Sequence, residues 1–199
     1  MKKNKKKQKC KEEMNIEVFD NLVDYSIRTK LYEVCSNSFF TLGWADNYAK
    51  NTIKNIHSSW SLKDLESSSI LPYIEKAFSQ SKLFTYNIEK IKLIELNLVK
   101  SGDVHFIHTH RDQIVALYYV NLDWQDGHYG ETIFYDKKNI NNIIYTSPYV
   151  PGRIILFDGE CPHAIRPQST MASKFRFTIS IFFNKWWQKE FNEHKRKNK

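Results

Sequence analysis

The chain has 199 residues, of which 41% are hydrophobic and 26% charged, and its formal net charge is +8. This length suits one domain with a buried core, and the composition excludes a disordered or low-complexity protein. No apolar run approaches the ~18 residues that a membrane-spanning helix needs, and no apolar leader segment follows the lysine-rich start.

The positive charge is concentrated at the two ends of the chain. Residues 1–11 carry a net +7 and residues 185–199 a net +4, so the segment between them is mildly acidic at −3. We expect a disordered basic tail over 1–13, a single domain over 14–184 and a basic tail or helix over 185–199. The lysine tails leave contact with nucleic acid open as a partner class, but the acidic body does not favour it.

The three cysteines, Cys10, Cys35 and Cys161, are widely spaced and form no CxxC pair. This pattern excludes a disulfide framework and a cysteine-built zinc site, and it predicts a reducing compartment. The many Lys, Asn and Ile residues are typical of an AT-rich coding genome. We therefore expect the cytoplasm of a bacterium or of a phage-infected cell.

The N-terminal part of the domain contains the predicted helices. One helix is predicted from Asp20 to about Cys35, and a second from Pro72 through Ser81, because proline suits the first turn of a helix. The polar residues 45–69 predict a long loop with short helical pieces. Segment 38–70, with Trp44, Tyr48, His57 and Trp60, is either a mobile lid or an ordinary surface loop.

From residue 83 onwards the sequence changes to short β-rich runs separated by turn residues such as Asp126-Gly127 and Asp158-Gly159. The predicted strands are 91–99, 114–120, 132–135, 140–145, 153–157 and 174–183. Repeated short strands without intervening helices predict an antiparallel sandwich or jelly roll, with the N-terminal helices covering one sheet.

The main polar cluster is the segment that contains His108, His110 and Asp112. Side chains two residues apart in an extended chain share a face, so His110 and Asp112 can meet His163, which follows the strand 153–157. Two imidazoles and one carboxylate are the donor set of non-heme Fe(II) oxygenases, and a carboxylate is the harder ligand. A His108/His110 pair remains an alternative, as does a set of ordinary polar residues at a strand end.

Arg176 lies within the otherwise apolar strand 175–183, with Thr178 on the same face. A buried guanidinium is costly without an anion. The sequence leaves two partners open, which are an acid of the core and a bound dicarboxylate held by the planar guanidinium and the threonine hydroxyl.

Over roughly residues 93–184 the sequence resembles the Fe(II)/2-oxoglutarate-dependent dioxygenases of the prolyl 4-hydroxylase-like branch. The resemblance rests on the order and spacing of short motifs rather than on any single one. They are His110-x-Asp112, Tyr118-Tyr119-Val-Asn121, Gly130-Glu131-Thr132, Pro151-Gly152-Arg153, Phe157-Asp158-Gly159, Pro162-His163 and Arg176-x-Thr178.

The resemblance implies a mainly β fold, a double-stranded β-helix with supporting N-terminal helices, whose core spans about 91–184. It implies iron held by His110, Asp112 and His163. It also implies that the 5-carboxylate of 2-oxoglutarate meets Arg176, Thr178 and the Tyr119 phenol. Because His163 and Arg176 are 13 residues apart, Lys174 stays open as an alternative to Arg176.

The activity implied by the resemblance is hydroxylation of an unactivated C–H bond with Fe(II), 2-oxoglutarate and O2, with release of succinate and CO2. The implied substrate is a prolyl residue of a protein or peptide. A small molecule or an alkylated nucleobase is an alternative substrate. A non-catalytic jelly-roll binding protein is the alternative from another functional class.

Overall fold

The computed structural model of the protein describes residues 15–44, 54–172 and 174–185. Its three helices are α1 (Tyr25–Ser36), α2 (Leu62–Ser67) and α3 (Leu71–Gln80). The ten strands are β1 (Ile16–Phe19), β2 (Thr41–Trp44), β3 (Asn55–Ser59), β4 (Ile91–Val99), β5 (Gln113–Tyr119), β6 (Thr132–Tyr135), β7 (Ile143–Ser147), β8 (Ile154–Asp158), β9 (His163–Ile165) and β10 (Arg176–Asn184).

The strands form two sheets that face each other. The larger sheet has the order β1-β8-β5-β10-β4-β3-β2, and the smaller has the order β7-β6-β9. All named strand pairs are antiparallel. This arrangement is a double-stranded β-helix, which confirms the fold class that the sequence predicts.

The helices pack against the outer face of the larger sheet. Leu31 of α1, Leu65 of α2 and Phe78 of α3 are buried in one cluster with the outward side chains of the sheet. The Phe78 ring meets the Phe183 ring of β10 edge to face at 5.0 Å. Burial of this apolar surface supplies most of the driving force for folding. The helices thus cover the outer face of the larger sheet, and its inner face is turned toward the smaller sheet.

Strand β10 shows how one sequence serves both faces of the larger sheet. Its odd-numbered residues from Phe177 to Phe183 belong to the cluster beneath the helices. The alternate residues, Arg176, Thr178, Ser180 and Phe182, line a cavity between the two sheets. The alternation follows from the two-residue period of a strand. It places polar side chains inside the fold, on the face that the smaller sheet covers.

Most predicted elements are confirmed, and several short strands were missed. The strands at 91–99 and 132–135 and the helix beginning near Pro72 agree with the structure. The first helix begins at Tyr25, with Asp24 rather than Asp20 as its N-cap, and residues 16–19 form an edge strand that pairs with β8. Within 45–69, α2 is one of the predicted short helical pieces, whereas β3 was missed.

Parts of the other predictions lie outside the described residues. These are the basic tail 1–13, nearly all of the C-terminal segment 185–199, and Tyr48 of the predicted lid. Among the helices of the described residues, none has the length and apolar character needed to cross a lipid bilayer.

Candidate functional site

Three histidines meet at one end of the cavity between the sheets. His108 and His110 precede β5, and His163 begins β9. The candidate ligand atoms of these three residues all lie within 4.8 Å of one another. His108 and His163 form a backbone bridge with two hydrogen bonds of 3.0 Å, which holds their side chains next to each other. Three converging imidazoles are a donor set for a divalent transition metal.

Backbone carbonyls fix the tautomer of two of these rings. The His108 Nδ1 lies 2.9 Å from the Phe106 carbonyl oxygen, and the His163 Nδ1 lies 2.8 Å from the Cys161 carbonyl oxygen. A carbonyl oxygen only accepts, so each Nδ1 carries the proton and donates. The Nε2 lone pairs are then free of a proton and suited to coordination.

The surroundings of His163 favour its neutral form. Burial, followed by the nearby His108 and His110, lowers the pKa of the His163 imidazole well below its usual value. The Phe157 ring lies 4.8 Å from the His163 ring, and the Phe182 ring lies 4.7 Å from the His110 ring. These apolar walls limit water around the cluster, and a neutral imidazole is the form that binds a metal.

Asp112, predicted as the carboxylate ligand, is not part of this cluster in the structure. The chain turns at Arg111 and Asp112, and Asp112 has a backbone φ of +55°. The expected alternation of side chains therefore ends at His110. The Asp112 carboxylate is partly exposed, and its Oδ2 lies 3.5 Å from the Arg111 Nε. Of the three predicted ligands, the structure brings together His110 and His163, and it adds His108.

A glycine fixes the position of the His110 backbone. The His110 amide donates to the Gly159 carbonyl at 2.6 Å. A Cβ atom at Gly159 would lie 2.5 Å from the His110 carbonyl oxygen and 2.9 Å from the Gln113 carbonyl oxygen. No side chain fits there without a backbone shift. The turn Asp158-Gly159 thus holds the end of β8 against the histidine segment.

Arg176 is fully buried at the other end of the cavity. Its Nε donates to the Gly130 carbonyl at 2.8 Å, and its Nη2 lies 3.4 Å from the Thr132 Oγ1. Its Nη1 has no hydrogen-bond partner, and no carboxylate of the described residues forms an ion pair with it. Burial lowers the pKa of the guanidinium. A buried cation with an unsatisfied donor is what an anion site requires.

Thr178 and Tyr119, the other predicted contacts of the keto acid, lie differently: Thr178 lines the cavity, and Tyr119 is not among the lining residues. Thr178 lines the cavity beside Arg176. The Tyr119 hydroxyl donates to the Thr132 Oγ1 at 2.7 Å, and its ring stacks on the Tyr149 ring at 4.4 Å. Tyr119 therefore orders the threonine that contacts Arg176.

Lys174, the alternative to Arg176, points to a different environment. Its Nζ lies 2.6 Å and 2.7 Å from the two carboxylate oxygens of Asp123, and its side chain is 46% exposed. It is not among the residues that line the cavity. Arg176 is the cation that faces the cavity.

The sequence interpretation missed a polar wall of the same cavity. Glu95 and Asn97 of β4 and Asn55 of β3 line it together with Ser180. The signal that could have indicated this wall is the placement of Glu95 and Asn97 at alternate positions within the mainly apolar strand β4. The cavity therefore joins the histidine cluster, the Arg176 guanidinium and a carboxylate.

Comparisons of the structure with solved structures give clear matches, whereas no family model and no curated protein matches the sequence. A prolyl hydroxylase from Trichoplax adhaerens, solved in complex with a hypoxia inducible factor oxygen degradation domain peptide fragment, is similar with a TM-score of 0.63 at 15% identity. The match covers 86% of this chain and 84% of that one. A prolyl-4-hydroxylase from Pseudomonas putida gives a TM-score of 0.61 at 15% identity, over 86% and 94% of the two chains.

A third protein of similar structure is named as an epimerase rather than a hydroxylase. It is a non-heme alpha ketoglutarate dependent epimerase from nogalamycin biosynthesis, with a TM-score of 0.59 at 9% identity, over 86% and 78% of the two chains. Hydroxylases and an epimerase thus share this fold. At these identities the likeness establishes the fold, and the chemistry has to be argued from the site.

Proposed function

We propose that the protein is an Fe(II)- and 2-oxoglutarate-dependent dioxygenase that hydroxylates an unactivated C–H bond. The observation that carries the proposal is the unsatisfied, fully buried Arg176 guanidinium in the cavity that also contains the histidine cluster. A keto dicarboxylate joins these two features, because one of its ends chelates a metal and the other is a carboxylate. The likeness in fold between this chain and two prolyl hydroxylases supports the same chemistry.

The residues present fit both groups. We assign the metal to His108, His110 and His163, with Nε2 of His108 and His163 as donor atoms. We assign the 5-carboxylate of 2-oxoglutarate to the Arg176 Nη1 and the Thr178 hydroxyl. When bound, the iron and the keto acid supply oxidative decarboxylation by O2, which releases succinate and CO2 and transfers one oxygen atom to the substrate.

The chain itself contributes positioning and a dry environment. The carbonyls of Phe106 and Cys161 hold two imidazoles in the required tautomer. Gly130 and Thr132 hold the Arg176 guanidinium in place, so its charge is fixed before the anion arrives. Phe157 and Phe182 place apolar rings against His163 and His110.

For the substrate we propose a prolyl residue of a protein or peptide, on the basis of the two prolyl hydroxylases of similar fold. The direct test is incubation of the protein with Fe(II), 2-oxoglutarate, O2 and proline-containing peptides. We expect succinate, and one added oxygen on proline by mass spectrometry. Succinate without oxygen on any proline would redirect the substrate to a small molecule or a nucleobase. Absence of succinate and of metal binding would favour a non-catalytic binding protein.

The metal assignment has its own test, which separates His108 from the predicted ligand Asp112. We expect anaerobic calorimetric titration with Fe(II) to show affinity reduced by roughly 100-fold or more in His108→Ala, because loss of a group that only orients a metal ligand already costs roughly 10- to 100-fold. Asp112→Ala is the matched control, and its affinity should stay within about threefold of the wild type, because its carboxylate lies outside the cluster. The reverse ranking would return Asp112 to the ligand set.

A further inference from the structure

The polar wall of the cavity contains a carboxylate that the proposed iron and keto acid do not use. Glu95 is 5% exposed and lines the same cavity as Arg176 and the histidines. Among the described residues that line this cavity, it carries the single carboxylate. A buried carboxylate is costly unless cations or donors surround it. Glu95 meets this condition through two side chains of β3.

Two side chains of β3 hold the Glu95 carboxylate in place. The His57 Nδ1 lies 2.6 Å from Oε2, and the Ser59 hydroxyl donates to Oε1 at 2.8 Å. On β2, a Cβ atom at Gly43 would lie only 3.2 Å from the His57 Nε2, so the backbone there closes over the far side of the ring. Each carboxylate oxygen can accept a further hydrogen bond after these two. The carboxylate is thus oriented by β3 and keeps accepting capacity toward the cavity.

The neighbours of Glu95 extend the same polar surface. Strand register places Glu95 opposite Ser180 and Asn97 opposite Thr178. The Asn97 Nδ2 donates to the Ser180 Oγ at 3.2 Å. On the far side of β10, the residues facing the cavity are apolar, as at Val115 and Leu117 of β5. At these positions the β4 side of the cavity carries hydrogen-bonding groups and the β5 side does not.

Different strands hold the two charged groups of the cavity. The Arg176 guanidinium is bound by Gly130 and Thr132, at the start of β6 in the smaller sheet. The Glu95 carboxylate is bound by two side chains of β3 in the larger sheet. The guanidinium and the carboxylate therefore belong to different walls of the cavity. Phe182 of β10 contacts the His110 ring, so the Glu95 wall borders the histidine cluster.

We propose that Glu95 binds a protonated amine of the substrate that is oxidised. This inference rests on the proposed function and names the chemical class of its substrate. The two charged side chains of the cavity wall then have separate tasks. Arg176 binds the anionic keto acid, and Glu95 binds a cationic substrate. A fixed carboxylate in a cavity of low dielectric favours an ammonium group over a neutral one. The amine comes either from a free amino acid or from a lysine beside the reacting residue in a peptide.

The test compares amines with their neutral counterparts on the protein loaded anaerobically with Fe(II) and 2-oxoglutarate. The probes are L-proline, L-lysine and a short lysine-proline peptide. Each is titrated beside its fully acetylated form, in which every amine, α and ε, is blocked, and calorimetry gives the dissociation constants. We expect at least one amine to bind roughly 30-fold or more tightly than its acetylated form. The free amino acids and the peptide distinguish the two sources of the amine.

Substitution of the carboxylate tests whether Glu95 causes this discrimination. In Glu95→Gln we expect the amine and its acetylated form to bind within about threefold of each other, whereas Glu160→Gln, a control in the exposed Lys137 pair, should keep the wild-type ratio. Equal binding of amine and acetyl forms by the wild type, binding of no amine, or a ratio that Glu95→Gln preserves would overturn the proposal.

The failure of this inference is distinguishable from the failure of the proposed function. The visible charge-transfer band of Fe(II) with chelated 2-oxoglutarate reports on the proposed function, and it also reports whether Glu95→Gln is folded at the site. The titrations are repeated on the metal-free protein. Amine selectivity without the band would keep the Glu95 site and reject the oxygenase, and the band without selectivity would do the reverse.

Discussion

The two faces of the larger sheet differ in the partner of their buried charged group. On the outer face, the Asp158 carboxylate at the end of β8 pairs with the Lys185 ammonium at 2.7 Å. On the inner face, Arg176 at the start of β10 is fully buried and has no carboxylate partner among the described residues. Helices cover the outer face with apolar side chains, and the inner face holds the cavity.

The difference separates stability from function on neighbouring residues of one strand. Outward side chains of β10 stabilise the fold through packing against α3 and its neighbours. The inward Arg176 carries a charge and a donor, its Nη1, that no described residue of the protein pairs. Active sites commonly violate the rule that buried polar groups are satisfied, because the ligand completes them.

The largest effect on stability is expected on the outer face, at Phe183. Its ring is fully buried and contacts the rings of Phe78 and Tyr86 at 5.0 Å and 6.0 Å. We expect Phe183→Ala to lower the free energy of unfolding by about 3–5 kcal/mol, because it removes packed surface and leaves a cavity. Urea denaturation measures the loss.

The control is the same truncation at an exposed position, Phe175→Ala, where the ring is 51% exposed. We expect a loss of about 1 kcal/mol or less there. Similar losses for Phe183→Ala and Phe175→Ala would contradict the assignment of the outer face as the main source of stability.

A smaller effect that depends on pH is expected at Asp158. Burial tends to raise the pKa of this carboxyl, but the Lys185 ammonium and the Glu160 amide outweigh it, so the pKa is lowered overall. The pair therefore stabilises the fold above the usual aspartate pKa of about 3.9, and this contribution is lost as pH falls through the lowered folded-state value. We expect Asp158→Asn to cost about 2 kcal/mol at pH 7 and less at pH 3.

Unfolding by urea at the two pH values measures this difference. Asp123→Asn is the matched control, since its pair with Lys174 is exposed and should contribute less than about 1 kcal/mol. An equal cost of Asp158→Asn at pH 3 and pH 7 would mean that the ion pair does not stabilise the fold.

Strand prediction succeeded where a strand is long or clearly alternating and failed where it is short or polar. The nine-residue strand 91–99 was identified at both ends. β9 has three residues, and β3 reads Asn-Ile-His-Ser-Ser, which resembles a loop in composition. β3 is polar because it supports the Glu95 carboxylate of the cavity wall. The feature that obscured the strand is thus the one that we assign to function.

For the site, the sequence singled out the buried arginine better than the full histidine cluster. Arg176 could be singled out because an arginine interrupts an apolar strand, and burial confirms its unusual environment. The choice of Asp112 assumed that alternation continues past His110. A turn with Asp112 in the left-handed region ends that alternation, and such a turn has no clear signal in the sequence. His108, one of the alternatives left open by the sequence, takes the place in the cluster.

The central claim is that Arg176 is left unpaired for the carboxylate of 2-oxoglutarate, and one titration tests it directly. Wild-type protein and Arg176→Met are titrated anaerobically with 2-oxoglutarate in the presence of Fe(II), and the visible charge-transfer band is recorded. We expect the band in the wild type, and a requirement for roughly 100-fold more 2-oxoglutarate in Arg176→Met. Stability of the variant should be equal or higher, because the substitution removes a buried charge that has no carboxylate in ion-pair contact. No band in the wild type, or equal 2-oxoglutarate affinity in both proteins, would contradict the claim.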